Sequence, residues 1–187
     1  MILTVEDGCF TSPSGQRMLK APIIGVLTSG TFINRVIASA IDVDGLDVTS
    51  RIIEMGEKVG RSMKVILLHG LPYGGFNIVD VTRLYNVFER PVITVINVKP
   101  DPIAVEAALK LHFQDWEHRM FLIKHAGPPI RLELPTGFTL YFEVAGMQPE
   151  AAGGLIRNTT FFGKVPEPLR IAKIIADSFP PLDYTVI

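Results

Sequence analysis

The order of elements in this sequence predicts an α/β fold on a mixed sheet: three antiparallel strands followed by parallel strands, with helices on both faces. Three observations carry that prediction. Residues 64–80, KVILLHGLPYGGFNIVD, open with four consecutive apolar residues, Val65 to Leu68, the pattern of a mid-sheet strand covered on both faces. The β-branched runs Pro22 to Thr28 and Ile33 to Val43 are separated by Ser29, Gly30 and Thr31, which allow a turn but not a helix. Beyond Val43, helical and extended patterns alternate.

Taken in order, Ile2 to Val5 is a short strand that ends in two carboxylates, Glu6 and Asp7. Thr11 to Lys20, with Ser12, Pro13, Ser14 and Gly15, is a loop. The hairpin of Pro22 to Thr28 and Ile33 to Val43 follows and joins the first strand. Asp42, Asp44 and Asp47 crowd its exit. A helix over Val48 to Val59 buries Ile52, Met55 and Val59, with Asp47 or Thr49 as its cap. The central strand then delivers His69 to its carboxyl end, and Gly70, Pro72, Gly74 and Gly75 make an irregular turn. Asn77 and Asp80 resemble a capping pair for a helix whose apolar stripe is Val81, Leu84, Tyr85 and Phe88.

Pro91 to Val98 is a further strand, its proline at the first residue, where a missing donor matters least. Asp101-Pro102 starts a helix as cap and first helical residue, with Ile103, Ala107 and Leu111 on one face. Trp116, Met120 and Ile123 mark a second helix, ended by Gly127, Pro128 and Pro129. A turn at Pro135 to Gly137 leads into a strand over Thr139 to Val144, and helices over Pro149 to Asn158 and Glu167 to Phe179 close the chain. This order matches a ribonuclease H-like sheet. A flavodoxin-like sheet is the alternative, but it needs a helix where Ser29 to Thr31 permits only a turn.

A chain of 187 residues is most simply a single domain, 1–187, able to bury roughly 70% of its unfolded surface. Hydrophobic residues make up 48% and charged residues 20%, enough apolar surface to make a homo-oligomer an expectation. The net charge of -1 means that any nucleic-acid surface must be a local patch. Cys9 is the single cysteine, which excludes an internal disulfide and a cysteine-rich metal site. MILTVEDGCF is apolar for too few residues to be a signal peptide, and no later window is long enough to span a membrane. A cytoplasmic location is expected.

Five motifs then occur in order: TVEDGCF, IDVDGLD, LLHGLPYGGFNIVD, VINVKPD and KVPEPLRIAKIIA. In these the chain resembles, over nearly its whole length, the archaeal family called domain of unknown function 99. That family is similar in fold to endonuclease V and is linked to DNA cleavage at deaminated bases. The resemblance implies an endonuclease V-like fold and a nuclease of DNA repair, a metal-dependent hydrolase acting at deoxyuridine or deoxyinosine. The family pattern has two aspartates after the first strand, where this chain has Glu6 and Asp7; an aspartate ending the central strand, where it has His69; and a histidine in the last helix, where it has Lys173.

Phosphodiester hydrolysis on such a sheet needs carboxylates on neighbouring strands to hold divalent ions. Parallel strands lie about 4.8 Å apart, so Glu6, Asp7 and His69 are the expected metal positions, for magnesium or manganese. An imidazole in the donor set shifts preference toward manganese or another transition metal, or removes metal binding. Asp44 or Asp47 would assist a ligand or the water. Lys173 would face phosphate, or pair with Glu6 or Asp7 in place of the ion. Lys99, Arg157, Lys164 and Arg170 are candidates for a basic patch that contacts DNA.

Two other readings stay open. One is a degenerate member that binds nucleic acid or a protein partner without cutting, for which a Lys173 pair with the acids would be the sign. The other is a small-molecule site under the glycine loop. Several residues have plainer explanations. Gly70, Gly74 and Gly75 match no Walker or dinucleotide fingerprint and are expected to let the loop approach a neighbouring backbone. Asp44 and Asp47 are capping residues first. His112, His118 and His125 are expected in solvent. Phe161 and Phe162 could stack on an exposed base, though one ring inward and one at a subunit contact is the simpler expectation. Cys9 has no histidine partner in sequence reach.

Overall fold

The fold described is that of a computed structural model, which describes residues 1–11, 15 and 18–181. Of the loop predicted over Thr11 to Lys20, Ser12, Pro13 and Ser14 lie outside the described residues. Strands β1 (Ile2–Asp7), β2 (Lys20–Ser29) and β3 (Phe32–Asp42) form the antiparallel meander. Helix α1 (Val48–Val59), strand β4 (Val65–Leu68), a small hairpin of β5 (Pro72–Tyr73) and β6 (Asn77–Ile78), helix α2 (Val81–Phe88) and strand β7 (Val92–Ile96) follow. Then come α3 (Pro102–His112), α4 (Trp116–His125), β8 (Ile130–Glu133), β9 (Thr139–Ala145), α5 (Pro149–Thr159) and α6 (Glu167–Asp177).

The main sheet has seven strands in the order β3-β2-β1-β4-β7-β9-β8. β4 joins β1 in parallel, Val5 opposite Leu68, and β7 joins β4 in parallel. The expected run of parallel strands stops there, because β9 and β8 are antiparallel additions. Their short link at Pro135 to Gly137 can only reverse the chain, whereas a parallel partner needs a long crossover. The carboxyl ends of β1, β4 and β7 therefore open on one rim.

Both faces of the sheet are covered. Leu3, Ile66, Leu68 and Val92 pack with Ile52 and Met55 of α1, Leu84 of α2 and Leu122 of α4. On the other face Leu67, Ile93 and Val95 meet Ala152 and Ile156 of α5 and Leu169 of α6. Ile24 and Val26 meet Ala172 and Ala176 of α6. Helix α1 lies close to α2 because Gly56 has no side chain: a Cβ there would fall 2.4 Å from Phe88 Cζ.

Three local expectations are corrected. Asp47 occupies the cap position of α1 as expected, but its side chain makes no capping bond: the Val48 N–H donates instead to Asn77 Oδ1 at 3.1 Å, and Thr49 Oγ1 accepts from Asp80 N at 2.9 Å. Asn77 is consequently not a cap for α2. Asp80 is, accepting from Arg83 N at 2.8 Å. On α3 the expected stripe faces outward, with Ile103 79% and Leu111 77% exposed and Leu109 buried instead. The helix is apolar on most of its surface, so periodicity could not choose the buried side. Asp101 caps it as expected, accepting from Ile103 N and Ala104 N. No helix among the described residues is long and apolar enough to cross a membrane.

Candidate functional site

The rim at the ends of β1, β4 and β7 gathers the polar residues that terminate those buried strands. Side chains alternate along a strand, so Glu6 shares the face of Thr4 while Asp7 turns to the opposite face. Glu6 is 2% exposed, with Oε1 at 3.1 Å from His69 Nδ1. Oε1 is buried, and apart from this close approach of His69 it has no partner among the described residues. Burial raises the Glu6 carboxyl above its ordinary value, with His69 opposing that rise. The approach of Glu6 likewise raises His69, against burial. The pair thus holds a proton over a widened pH range.

His69 is fixed from its other side as well. Its Nε2 lies 3.1 Å from Asn97 Nδ2, and Asn97 is the first residue beyond β7. The amide suits either form of the ring: Nδ2 donates to a bare Nε2, and the reversed amide presents Oδ1 to Nε2–H. The His69 N–H donates to the hydroxyl of Tyr73 at 3.3 Å, and that hydroxyl donates to Val5 O at 3.1 Å. Buried Tyr73 ties the ends of β1 and β4 together. Its phenol is pushed well above its ordinary pKa by burial and then by Glu6 and Asp7.

Asp7 secures the glycine loop, with Oδ2 accepting from Gly74 N at 2.7 Å. Gly74 sits at φ +50°, where a Cβ would come 3.1 Å from Ile41 Cδ1, so the loop lies against β3 as the glycines lead one to expect. Beneath it, Asn77 Nδ2 donates to Asp42 O at 3.0 Å and Asp47 Oδ1 at 2.8 Å. Asp44 Oδ1 accepts from Phe76 N at 2.9 Å, and Arg119 donates to the carbonyls of Asp44, Gly45 and Phe76. Asp44 and Asp47 therefore spend carboxylate oxygens on shaping the loop, away from Glu6 and His69.

Lys173 lies in the field of Glu6 and Asp7 but bonds elsewhere, with Nζ 2.5 Å from Asp177 Oδ1. The pairing with Glu6 or Asp7 that was one expectation is not formed, because Asp177 stands one helical turn away on the same face of α6. Burial pulls the ammonium down, while Asp177 and then the two site acids outweigh it and hold it above its ordinary value. The four residues of the expected basic patch occupy separate places. Arg157 donates to Glu133 O, Arg170 pairs with Glu167, Lys164 follows α5, and Lys99 follows β7. Phe161 and Phe162 are both exposed, 50% and 86%, so neither ring packs inward. His112, His118 and His125 are exposed, and Cys9 Sγ donates to Thr11 O.

Whether the site fits a metal can be judged from its donors. Among the described residues no group of three or more His, Cys, Asp or Glu side chains is placed to hold an ion. Two donors are placed to do so. Metal bonds of about 2.0–2.2 Å set near right angles put neighbouring donors about 3 Å apart, which is how Glu6 Oε1 and His69 Nδ1 stand. The buried Oε1, approached closely by His69 alone among the described residues, fits a cation. Such a two-donor site needs water or substrate oxygens for the rest of its shell, as is usual for ions that work on phosphate.

A cavity of about 290 Å³ lies directly beside this centre. Gly70, Leu71 and Pro72 of the glycine loop form one wall, Ile96 and Lys99 another, and Met120 and Ile123 of α4 a third. Its two ionisable lining residues are Lys99 and Glu143. Tyr73, Asn97 and Glu143 are the residues here that sequence reasoning missed, and Asn77, expected as a helix cap, serves as a strut instead. Asn97 and Glu143 carried a legible signal, a polar group ending or interrupting an apolar strand, the same signal that singled out His69.

A model of the endonuclease dU family matches residues 1–179. The chain is 39% identical over 179 residues to a UPF0215 protein of Thermococcus gammatolerans, covering 95% of this chain and 90% of that one. It is 39% identical over 178 residues to a UPF0215 protein of Methanothermobacter thermautotrophicus, covering 94% and 85%. A solved protein of unknown function from Archaeoglobus fulgidus is similar at TM-score 0.80 and 30% identity, over 94% of this chain and 95% of that one. Endonuclease V of Ciona intestinalis, solved with a 24mer DNA containing an inosine followed by a ribo-adenosine, is similar in fold at TM-score 0.57 and 13% identity, over 91% and 82%. Human endonuclease V is similar at TM-score 0.56 and 14% identity, over 94% and 82%. The sheet is thus the ribonuclease H-like sheet of endonuclease V, and the chain belongs to the endonuclease dU family.

Proposed function

We propose that this protein cleaves DNA at or near a deaminated base, deoxyuridine or deoxyinosine, by metal-assisted hydrolysis centred on Glu6 and His69. The observation that carries the reading is the buried Oε1 of Glu6, whose one near partner among the described residues is His69 Nδ1 at 3.1 Å, on the rim where β1 and β4 end. The family's description as endonuclease dU and the endonuclease V-like fold support it. So does Lys173, whose bond to Asp177 leaves the acids unneutralised by a direct lysine pair.

A manganese or magnesium ion on Glu6 and His69 would polarise the phosphoryl oxygen and lower the pKa of a bound water. The imidazole favours manganese. The chain's own groups do the positioning. Asn97 holds the imidazole, Tyr73 holds the backbone of His69, Asp7 holds the loop, and Lys173 adds positive charge for the phosphate. The cavity one residue beyond His69 takes the base.

The test is nicking of oligonucleotides that carry one uracil or hypoxanthine, with magnesium and manganese in parallel. Nicking that is stronger in manganese and falls to background in Glu6→Ala and His69→Ala is expected. A second reading, a binding module that no longer cuts, is favoured by the engagement of both His69 nitrogens with Glu6 and Asn97. No nicking in either metal, with DNA binding retained and weakened by Lys173→Ala, would establish that reading instead.

A further inference from the structure

Glu143 is a buried ionisable group that the proposed cleavage does not use. It is 4% exposed, stands on β9 opposite Thr94 of β7, and lines the cavity beside the glycine loop. The walls around it are Pro72, Phe76, Ile78, Met120 and Ile123, which offer no hydrogen-bonding side chain. Lys99, the other ionisable lining residue, is exposed on the segment after β7. A cavity of about 290 Å³ is at the small end of ligand sites, which run from about 300 Å³ upward. It suits one planar ring.

The hydrogen bonds around Glu143 fix which oxygen can act. Thr94 Oγ1 accepts from the Glu143 backbone N–H at 3.3 Å and is hydrogen-bonded to Glu143 Oε2. A hydroxyl has a single proton. Thr94 accepts the backbone N–H on a lone pair and donates that single proton to Oε2. Oε2 is thus an acceptor in use, and Oε1 is the oxygen left for the cavity. A carboxyl proton, when present, resides on Oε1 and gives the cavity one hydrogen-bond donor.

We propose that Glu143 is a specificity-determining residue that reads the oxo group of a deaminated base by donating a hydrogen bond from Oε1. The proposal rests on the reading that this site acts on deaminated DNA. Deamination replaces the exocyclic amino group of cytosine or adenine with a carbonyl oxygen, turning a donor into an acceptor at one position of the ring. A donor on the cavity wall pairs with the oxo group of uracil or hypoxanthine. Against an amino group it meets another donor, and one buried polar group goes unpaired. Burial raises the Glu143 carboxyl, which favours the protonated form that can donate.

Thymine and guanine carry the same oxo group as uracil and hypoxanthine. Their rejection falls to the fit of the rest of the ring against the other lining residues, such as Met120 and Ile123. This separates a reading role from a structural one.

The experiment measures affinities, by fluorescence anisotropy without added metal, for oligonucleotides carrying uracil, cytosine or thymine at one position. Wild type, Glu143→Gln and Glu143→Ala are compared from pH 5 to 9, with thermal denaturation to confirm folding. Wild type is expected to prefer uracil over cytosine by about 10- to 100-fold at low pH, and less as pH rises and the donor is lost. Glu143→Gln keeps a donor, its amide N–H, at every pH, so its preference should not vary with pH. Glu143→Ala should lose most of the uracil-to-cytosine preference and keep the uracil-to-thymine ratio. Equal uracil-to-cytosine preferences in all three proteins, or loss of both ratios together, would overturn the role of Glu143 while leaving the proposed function intact. A wild type that does not distinguish uracil from undamaged bases would overturn both.

Discussion

Replacing Asn77 with alanine should destabilise the protein by about 3–4 kcal/mol, although Asn77 lies in a two-residue strand and does not make the helix cap expected of it. The figure follows from what its side chain holds. Asn77 is fully buried, and Oδ1 accepts from the N–H of Val48, itself fully buried at the start of α1. An orphaned buried donor costs about 1–3 kcal/mol. Nδ2 donates to Asp42 O and Asp47 Oδ1, two part-buried acceptors that water can partly satisfy, so each bond lost removes about 0.5–1.5 kcal/mol. For a domain of this size each kcal/mol moves the midpoint by about 2–4 °C, so a drop of about 6–16 °C is expected in thermal denaturation. Urea unfolding should show an unchanged m value with a lower midpoint. Because Asn77 lies between Phe76 and Ile78, both on the cavity wall, the folded variant should also bind uracil-containing DNA less tightly. A loss below about 1 kcal/mol would refute the argument. It would mean that the exit of β3 and the start of α1 hold their geometry without this strut.

Two further outcomes follow from the same geometry. Arg119→Lys should cost about 2–4 kcal/mol in chemical denaturation, because one ammonium cannot reach the three carbonyls of Asp44, Gly45 and Phe76 together with Asp115; a lysine that restores full stability would refute the role of the planar fork. For Glu143 the folded carboxyl is raised above the unfolded value, which is near 4.5. Its contribution to stability is therefore fully present below that pH and is lost as pH rises through the folded value. Glu143→Gln should then gain stability relative to wild type as pH rises above the unfolded value near 4.5, read as the difference between two urea titrations, and a difference that is flat with pH would refute the burial argument.

The sequence by itself determined the rim on which function would be sought and most of the order of elements, missing the β5–β6 hairpin and β8. Four apolar residues at Val65 to Leu68 admit only a strand covered on both faces, and a hairpin link at Ser29 to Thr31 admits no crossover helix. The polar residues that end such strands, Glu6, Asp7 and His69, had to emerge together where the parallel ends open, because strand direction and alternation leave them nowhere else. Tertiary structure decided what those residues do. The Lys173–Asp177 pair, four residues apart on one helix, is the local exception. Asp7 turned to the glycine loop while Glu6 and His69 met, because partner choice depends on which face a side chain takes and on what stands within about 3 Å, and neither is local in sequence. The outward stripe of α3, the Asn77 strut 29 residues from Val48, and the Thr94–Glu143 pair across 49 residues were hidden for the same reason. Periodicity ranks the faces of an element by polarity, but only packing assigns each buried polar atom a partner.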